Sequence, residues 1–156
     1  MHHRHAAAAV LLLASLTACS GGDPDEAKPA RSSSAASPSP AAAQDLAPTW
    51  TPKLNAAGEG AVAACQTPSS VDCSAAVDRI MAVVNDLEVA VGQTGRPYKE
   101  TLSQIAKMRA AETEYTVRAC KGDPAADDPN SKCHGVVHVT LGATTLTMTL
   151  ATDDLS

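Results

Sequence analysis

The chain has 156 residues, 44% apolar and 19% charged, with 12 Lys and Arg against 17 Asp and Glu for a net charge of -5. Ala alone accounts for 31 positions, and Trp50, Tyr98 and Tyr115 are the only aromatic residues. That length holds one modest domain; it leaves no room for a large aromatic core or a separate cofactor module. An acidic chain without stacking platforms argues against nucleic acid as a partner.

The chain begins with a short, partly basic stretch, Met1-His2-His3-Arg4-His5, followed by an apolar run from Ala6 to Ala14 and then Ser15-Leu16-Thr17-Ala18-Cys19. Charged end, short apolar stretch and small residues at the cut are the layout of a secretory signal. The run is far shorter than the roughly 20 residues that span a bilayer, so a transmembrane helix is not expected. At Leu16-Thr17-Ala18-Cys19 the sequence resembles the lipobox of bacterial lipoproteins. The resemblance implies cleavage after a signal peptide of residues 1–18, a thioether-linked diacylglycerol on Cys19, and a lipid-anchored protein on the extracytoplasmic face of the cell membrane. Each buried methylene contributes about 0.8 kcal/mol, so two or three acyl chains hold a protein stably where one does not. The cluster His2, His3 and His5 would leave with the signal, and the loss of Arg4 would take the mature charge to -6. The Ala-rich composition is also similar to that of small lipoproteins of high-GC Gram-positive bacteria, a resemblance that implies no activity.

Residues 19–48 read as a disordered tether. Gly21-Gly22, Ser32-Ser33-Ser34, Ser37-Pro38-Ser39-Pro40 and Ala41-Ala42-Ala43 carry no apolar period, and Leu46 is the sole large apolar residue. Such a segment buries too little surface to offset chain entropy. Its root-mean-square span would be roughly 30 Å. The folded domain is expected over 49–156.

Setting Cys19 aside leaves Cys65, Cys73, Cys120 and Cys133. In a small exported domain an even count implies disulfides, with three possible connectivities. Local pairing, Cys65 with Cys73 and Cys120 with Cys133, is favoured because each pair brackets a stretch rich in turn residues. No CxxC pair is present to favour a zinc site.

The fold class expected is all-α, an up-down bundle of three to four helices stapled by two disulfides. A weak Ala-rich helix spans about Leu54 to Cys65, with Gly58 and Gly60 against it. Over 71–92 the residues Cys73, Val77, Ile80, Val84, Leu87 and Val91 recur at spacings of four and three, a single helical seam that Ser70 or Asp72 can cap and Gly92 with Gly95 can end. Arg96-Pro97 opens the next helix, with Tyr98, Leu102, Ile105, Met108, Tyr115 and Ala119 on its inner face and Gly122 and Pro124 at its stop. The segment from His134 to Thr152 reads two ways. As a helix, it aligns Val136, Val139, Ala143, Leu146 and Leu150. As a β-hairpin over about 136–151, Val137, Val139 and Leu141 alternate before a Gly142-Ala143 turn, and six Thr favour strand. The helix is preferred because it completes the bundle and brings both staples to one end, whereas an isolated hairpin is marginal.

Candidate sites are few. His134 and His138, four apart, would share a helix face within reach of one metal ion, but no third ligand is obvious, since Asp153 or Asp154 would have to fold back. His134-Gly135-Val136-Val137-His138 departs from HExxH at the position of its general base, Gly135. Asp123, Asp127, Asp128 and Asn130 gather oxygens in a loop but lack the spacing of an EF-hand. Trp50, within Pro48-Thr49-Trp50-Thr51-Pro52, is expected to pack onto the bundle and fix the chain's approach. Exposed instead, it would be a binding anchor. Glu112 and Glu114 fall on different helix faces, no nucleophile motif or phosphate-binding loop is found, and no cofactor is indicated. The reading is a lipid-anchored, non-catalytic envelope-binding or scaffolding domain, with an envelope protein or polymer as partner. The alternatives are a metal or small-ligand carrier using His134 and His138, and an envelope-polymer hydrolase.

Overall fold

A computed structural model describes residues 45–156. The signal, Cys19 and nearly all of the expected tether lie outside the described residues. Among these residues the chain forms α1 (Ala47–Gly58), α2 (Ala61–Ala64), α3 (Val71–Thr94), α4 (Lys99–Val117), two 3-10 turns at Pro124–Asp127 and Lys132–Val136, α5 (Val137–Thr140) and α6 (Gly142–Asp154). This is the all-α bundle with two disulfides, Cys65–Cys73 and Cys120–Cys133. Among the described residues no helix is long and apolar enough to cross a membrane.

α3 follows its sequence pattern closely. Ser70 Oγ accepts the Cys73 N–H at 3.1 Å, closing the first turn. The seam Cys73, Val77, Ile80, Val84, Leu87 and Val91 is buried. The helix runs two residues past the 71–92 stretch, to Thr94, and Gly95 takes the left-handed conformation (φ 70°) that stops it.

α1 begins earlier than expected. It starts at Ala47 with Pro48 in its first turn, where the missing N–H costs nothing. Trp50, Leu54 and Ala57, then Ala61 of α2, bury one side. Its caps come from elsewhere in the chain. Asp154 accepts the Leu46 and Ala47 N–H groups at 3.1 and 2.7 Å, and Arg79 donates from Nε and Nη2 to the Ala57 and Glu59 carbonyls at 3.0 and 3.2 Å. A carboxylate at the N-terminus and a cation at the C-terminus both complement the helix dipole.

α4 starts at Lys99, two residues after Pro97, and its inner face is Thr101, Ile105, Met108, Ala111 and Tyr115, with Tyr98 buried just before it. Thr101 replaces Leu102, which stays 41% exposed, because the Asp153 carboxylate accepts the Thr101 N–H at 2.8 Å and draws that side of the helix toward α6. Ala119 also leaves the inner face. It sits exposed beyond the helix end at φ 53°, where it lets the Cys120 N–H reach back to the Tyr115 carbonyl.

The C-terminal segment is helical, and Val136, Val139, Ala143, Leu146 and Leu150 are all buried as the helical reading places them. The β-hairpin alternative does not form. α6 packs between α1 and α4, so its β-branched Thr residues are held by tertiary burial rather than by propensity. A bare backbone is required at Gly142, since an added Cβ would lie 2.6 Å from Met108 Cγ and Sδ.

Candidate functional site

The bundle has two chemically different ends. At one, where the chain arrives at Asp45, side chains and termini interlock. Asp154 also accepts the Tyr98 hydroxyl at 2.6 Å, and Arg96 donates to the Asp153 and Asp154 carbonyls at 3.0 and 2.8 Å and pairs with Asp45 at 3.0 Å. Burial pushes the Asp154 carboxyl up, but the Tyr98 hydroxyl, the two backbone N–H groups and Arg96 outweigh it and hold the carboxyl below its ordinary range. Burial and the bond to Asp154 push Tyr98 up to about 12. None of these groups is free to accept a ligand without undoing a helix end.

The other end carries both disulfides. The Cys65–Cys73 loop is bound to the Cys120–Cys133 loop: Ser69 donates its N–H and hydroxyl to Asp127 at 2.9 and 2.7 Å, and Gly122 N–H donates to the Ser69 carbonyl at 2.8 Å. Tyr115 donates to the Pro68 carbonyl at 2.7 Å beneath them. The Ser69 N–H, then its hydroxyl, hold the Asp127 carboxyl below its usual range, and His134 nearby acts in the same direction. Ser69 and Asp127 are thus joined directly, and the serine hydroxyl donates to the carboxylate while His134 Nε2 has no partner. That pairing differs from the nucleophile–imidazole–carboxylate order of a catalytic triad.

The remaining oxygen cluster is spent on loop structure. Asp123 accepts the Ala125 N–H at 2.9 Å and Asp128 the Asn130 N–H at 2.8 Å, so the loop's carboxylates turn to its own backbone. Among the described residues no three His, Cys, Asp or Glu side chains are grouped to hold a metal ion. His134 lies in the 3-10 turn with Nε2 enclosed and unpartnered, while His138, in α5, is exposed. The tighter turn between them breaks the helical register that would have aligned them. Asp153 and Asp154 do not fold back toward the histidines; they are fixed at the opposite end as caps. The carboxylate near His138 is instead Glu114, which lines the same groove and pairs with Arg118 at 2.9 Å. Glu112 lines a different groove, beside Asp78, Tyr115 and Lys121.

Trp50 is 9% exposed, with the Lys53 ammonium 4.1 Å from its ring centroid, so it is a packing residue of α1 rather than an exposed anchor. Among the described residues two open grooves stand out. The groove between α1 and α6 measures about 370 Å3 and the one lined by His138 about 310 Å3. The first is lined by Leu54, Asn55, Glu59 and Thr144 and the second by Lys107, Ala111, Glu114 and His138. Sequence reasoning missed the caps made by Asp153, Asp154 and Arg79 and the Ser69–Asp127 clasp. Each joins residues 20 or more positions apart, and no local motif marks them. The chain matches no protein-family model, no curated protein and no solved structure.

Proposed function

We propose that this protein is an exported, lipid-anchored lipoprotein whose helical domain is a non-catalytic binding or scaffolding module of the cell envelope. The lipobox-like Leu16-Thr17-Ala18-Cys19 supports the anchor. The observation that carries the domain's role is the separation of its two ends. The chain arrives at Asp45, held by Arg96 and followed by the Asp154 cap, while the disulfide-clasped loops lie at the far end of α3. A helix of 24 residues is about 36 Å long. A tether leaving from one end thus presents the stapled loops, with exposed Lys121 and Lys132, away from the membrane.

The test is the intact mass of the chain extracted from its native membrane, together with co-sedimentation of the purified chain with isolated cell-wall polymer. A chain beginning at Cys19 and carrying lipid mass is expected, and Cys19→Ala should move it to the soluble fraction. Retention on the envelope material should weaken with Lys121→Glu and Lys132→Glu. A lipid-free chain cut elsewhere defeats the anchor; no retention on polymer and no cross-linked envelope protein defeats the binding role.

A further inference from the structure

α6 carries a surface that its own domain leaves uncovered. From Val139 to Thr152 there are fourteen residues without one charged side chain, in a domain whose described residues hold nine Lys and Arg against fourteen Asp and Glu. Leu141, Met148 and Leu155, spaced by seven, are 51%, 59% and 91% exposed and share one face with Thr145 and Thr152. The threonines add to its apolar character. Thr145, Thr147, Thr149 and Thr152 each donate their hydroxyl to a carbonyl three or four residues back, at 3.3, 2.7, 3.2 and 3.0 Å. With those hydroxyls satisfied inside the helix, the methyl groups are what remains to face outward, and the face can be covered without stranding these donors.

We infer that this face is the contact between two copies of the chain, packed α6 against α6 in parallel about a two-fold axis. Charge sets where two copies can meet. Two acidic domains repel wherever their charged surfaces meet, and the uncharged α6 face is where that repulsion is least. The seven-residue spacing of Leu141, Met148 and Leu155 is self-complementary, so each apolar side chain meets its own counterpart across the axis. A parallel arrangement keeps both Asp45 ends together, which suits two chains held by one membrane; in the choice of direction and in the effective concentration it rests on the anchored reading. Fourteen helical residues extend about 20 Å. Two such faces bury on the order of 1,000 Å2 in total, the low end for a specific contact. Confinement to one membrane raises the effective concentration of a contact of that size.

The experiment uses the full mature chain, in detergent micelles if it carries lipid and in buffer if it does not. Its mass is followed by light scattering and sedimentation over a concentration series. A reversible monomer–dimer equilibrium is expected. Met148→Lys should raise the dimer dissociation constant at least tenfold, with unchanged helical circular dichroism and unchanged Trp50 emission. Leu141→Lys is the second disrupting variant. Leu141→Cys should form a disulfide to its own counterpart, as a parallel pair requires. A monomer throughout the series, a dimer indifferent to both Lys variants, or a double variant Leu141→Cys, Leu155→Cys whose two positions cross-link only to each other between copies would overturn the inference. The lipid mass on Cys19 is read separately, so failure of the dimer is distinguishable from failure of the anchor.

Discussion

Asp153 and Asp154 are adjacent, yet they serve two different helices. Asp153 accepts the Thr101 N–H at the start of α4, and Asp154 accepts the Leu46 and Ala47 N–H groups at the start of α1. Both helix N-termini lack a side-chain cap of their own. Removing a capping carboxylate costs about 0.5–2 kcal/mol, so Asp154→Ala should lower the unfolding free energy by about that much in urea denaturation. The pH dependence follows from the same bonds. The Asp154 carboxyl is held below its ordinary 3.8, so its contribution is complete above that value and is lost as pH falls through the lower folded value. Tyr98 has the opposite sign. Raised from 10.0 to about 12, it contributes fully below pH 10 and loses that contribution as pH rises through about 12. Asp154→Asn should flatten the acid limb of the stability curve. It should also bring one phenolate absorbance transition down toward pH 10 in an alkaline titration; an unchanged titration would separate Tyr98 from Asp154.

At the scale of elements, α3 was legible because its seam, its Ser70 cap and its Gly95 stop are all local. α1 was harder to read. Its caps come from Arg79 and Asp154, and its Pro52 and Gly58 weaken any local estimate of helicity, so the sequence reading started it near Leu54 instead of Ala47. α6 was ambiguous for a related reason. Its β-branched Thr residues favour strand locally, and only packing between α1 and α4 resolves them as helix. Gly142 marks the closest approach in that packing. Gly142→Ala gains about 1 kcal/mol of intrinsic helix preference. It also drives a Cβ against Met108 Cγ, which is fully buried and has no open side to move into. Overpacking of this kind costs about 1–3 kcal/mol, so a net loss is expected in thermal or urea unfolding. Substituting Met108→Ala alongside it should make the two changes clearly non-additive.

For the whole molecule, the two disulfides act on one end of the bundle and the Asp154 cluster on the other. Closing loops of 8 and 13 residues contributes about 2.5–3 kcal/mol each by chain-entropy reasoning. Replacing Cys120 and Cys133 with Ala should therefore lower stability by about 3 kcal/mol. It should also increase amide exchange in the Ser69–Asp127 clasp before it does so in α3. Equal exchange in both regions would show that the staples do not divide the bundle in this way. The local pairing of the cysteines was readable because each pair brackets turn residues. The clasp that unites the two loops was not, since Ser69 and Asp127 are 58 positions apart.

By itself the sequence determined what depends on neighbours along the chain: the helical seam of α3, the turns inside each disulfide loop, and the shortage of aromatic and basic surface. It also carried, as an expectation, the lipobox-like run ending at Cys19. The tertiary structure alone decided which residue of α4 turns inward, how the last segment folds, and what His134 and His138 can reach. Those outcomes depend on distant groups whose pairing leaves no periodic trace: Asp153 on Thr101, Met108 on Gly142, Asp127 on Ser69. The uncovered face of α6 belongs to both levels. Its missing charge is written in the sequence, but which side of the helix meets solvent was settled only when α1 and α4 closed over the other.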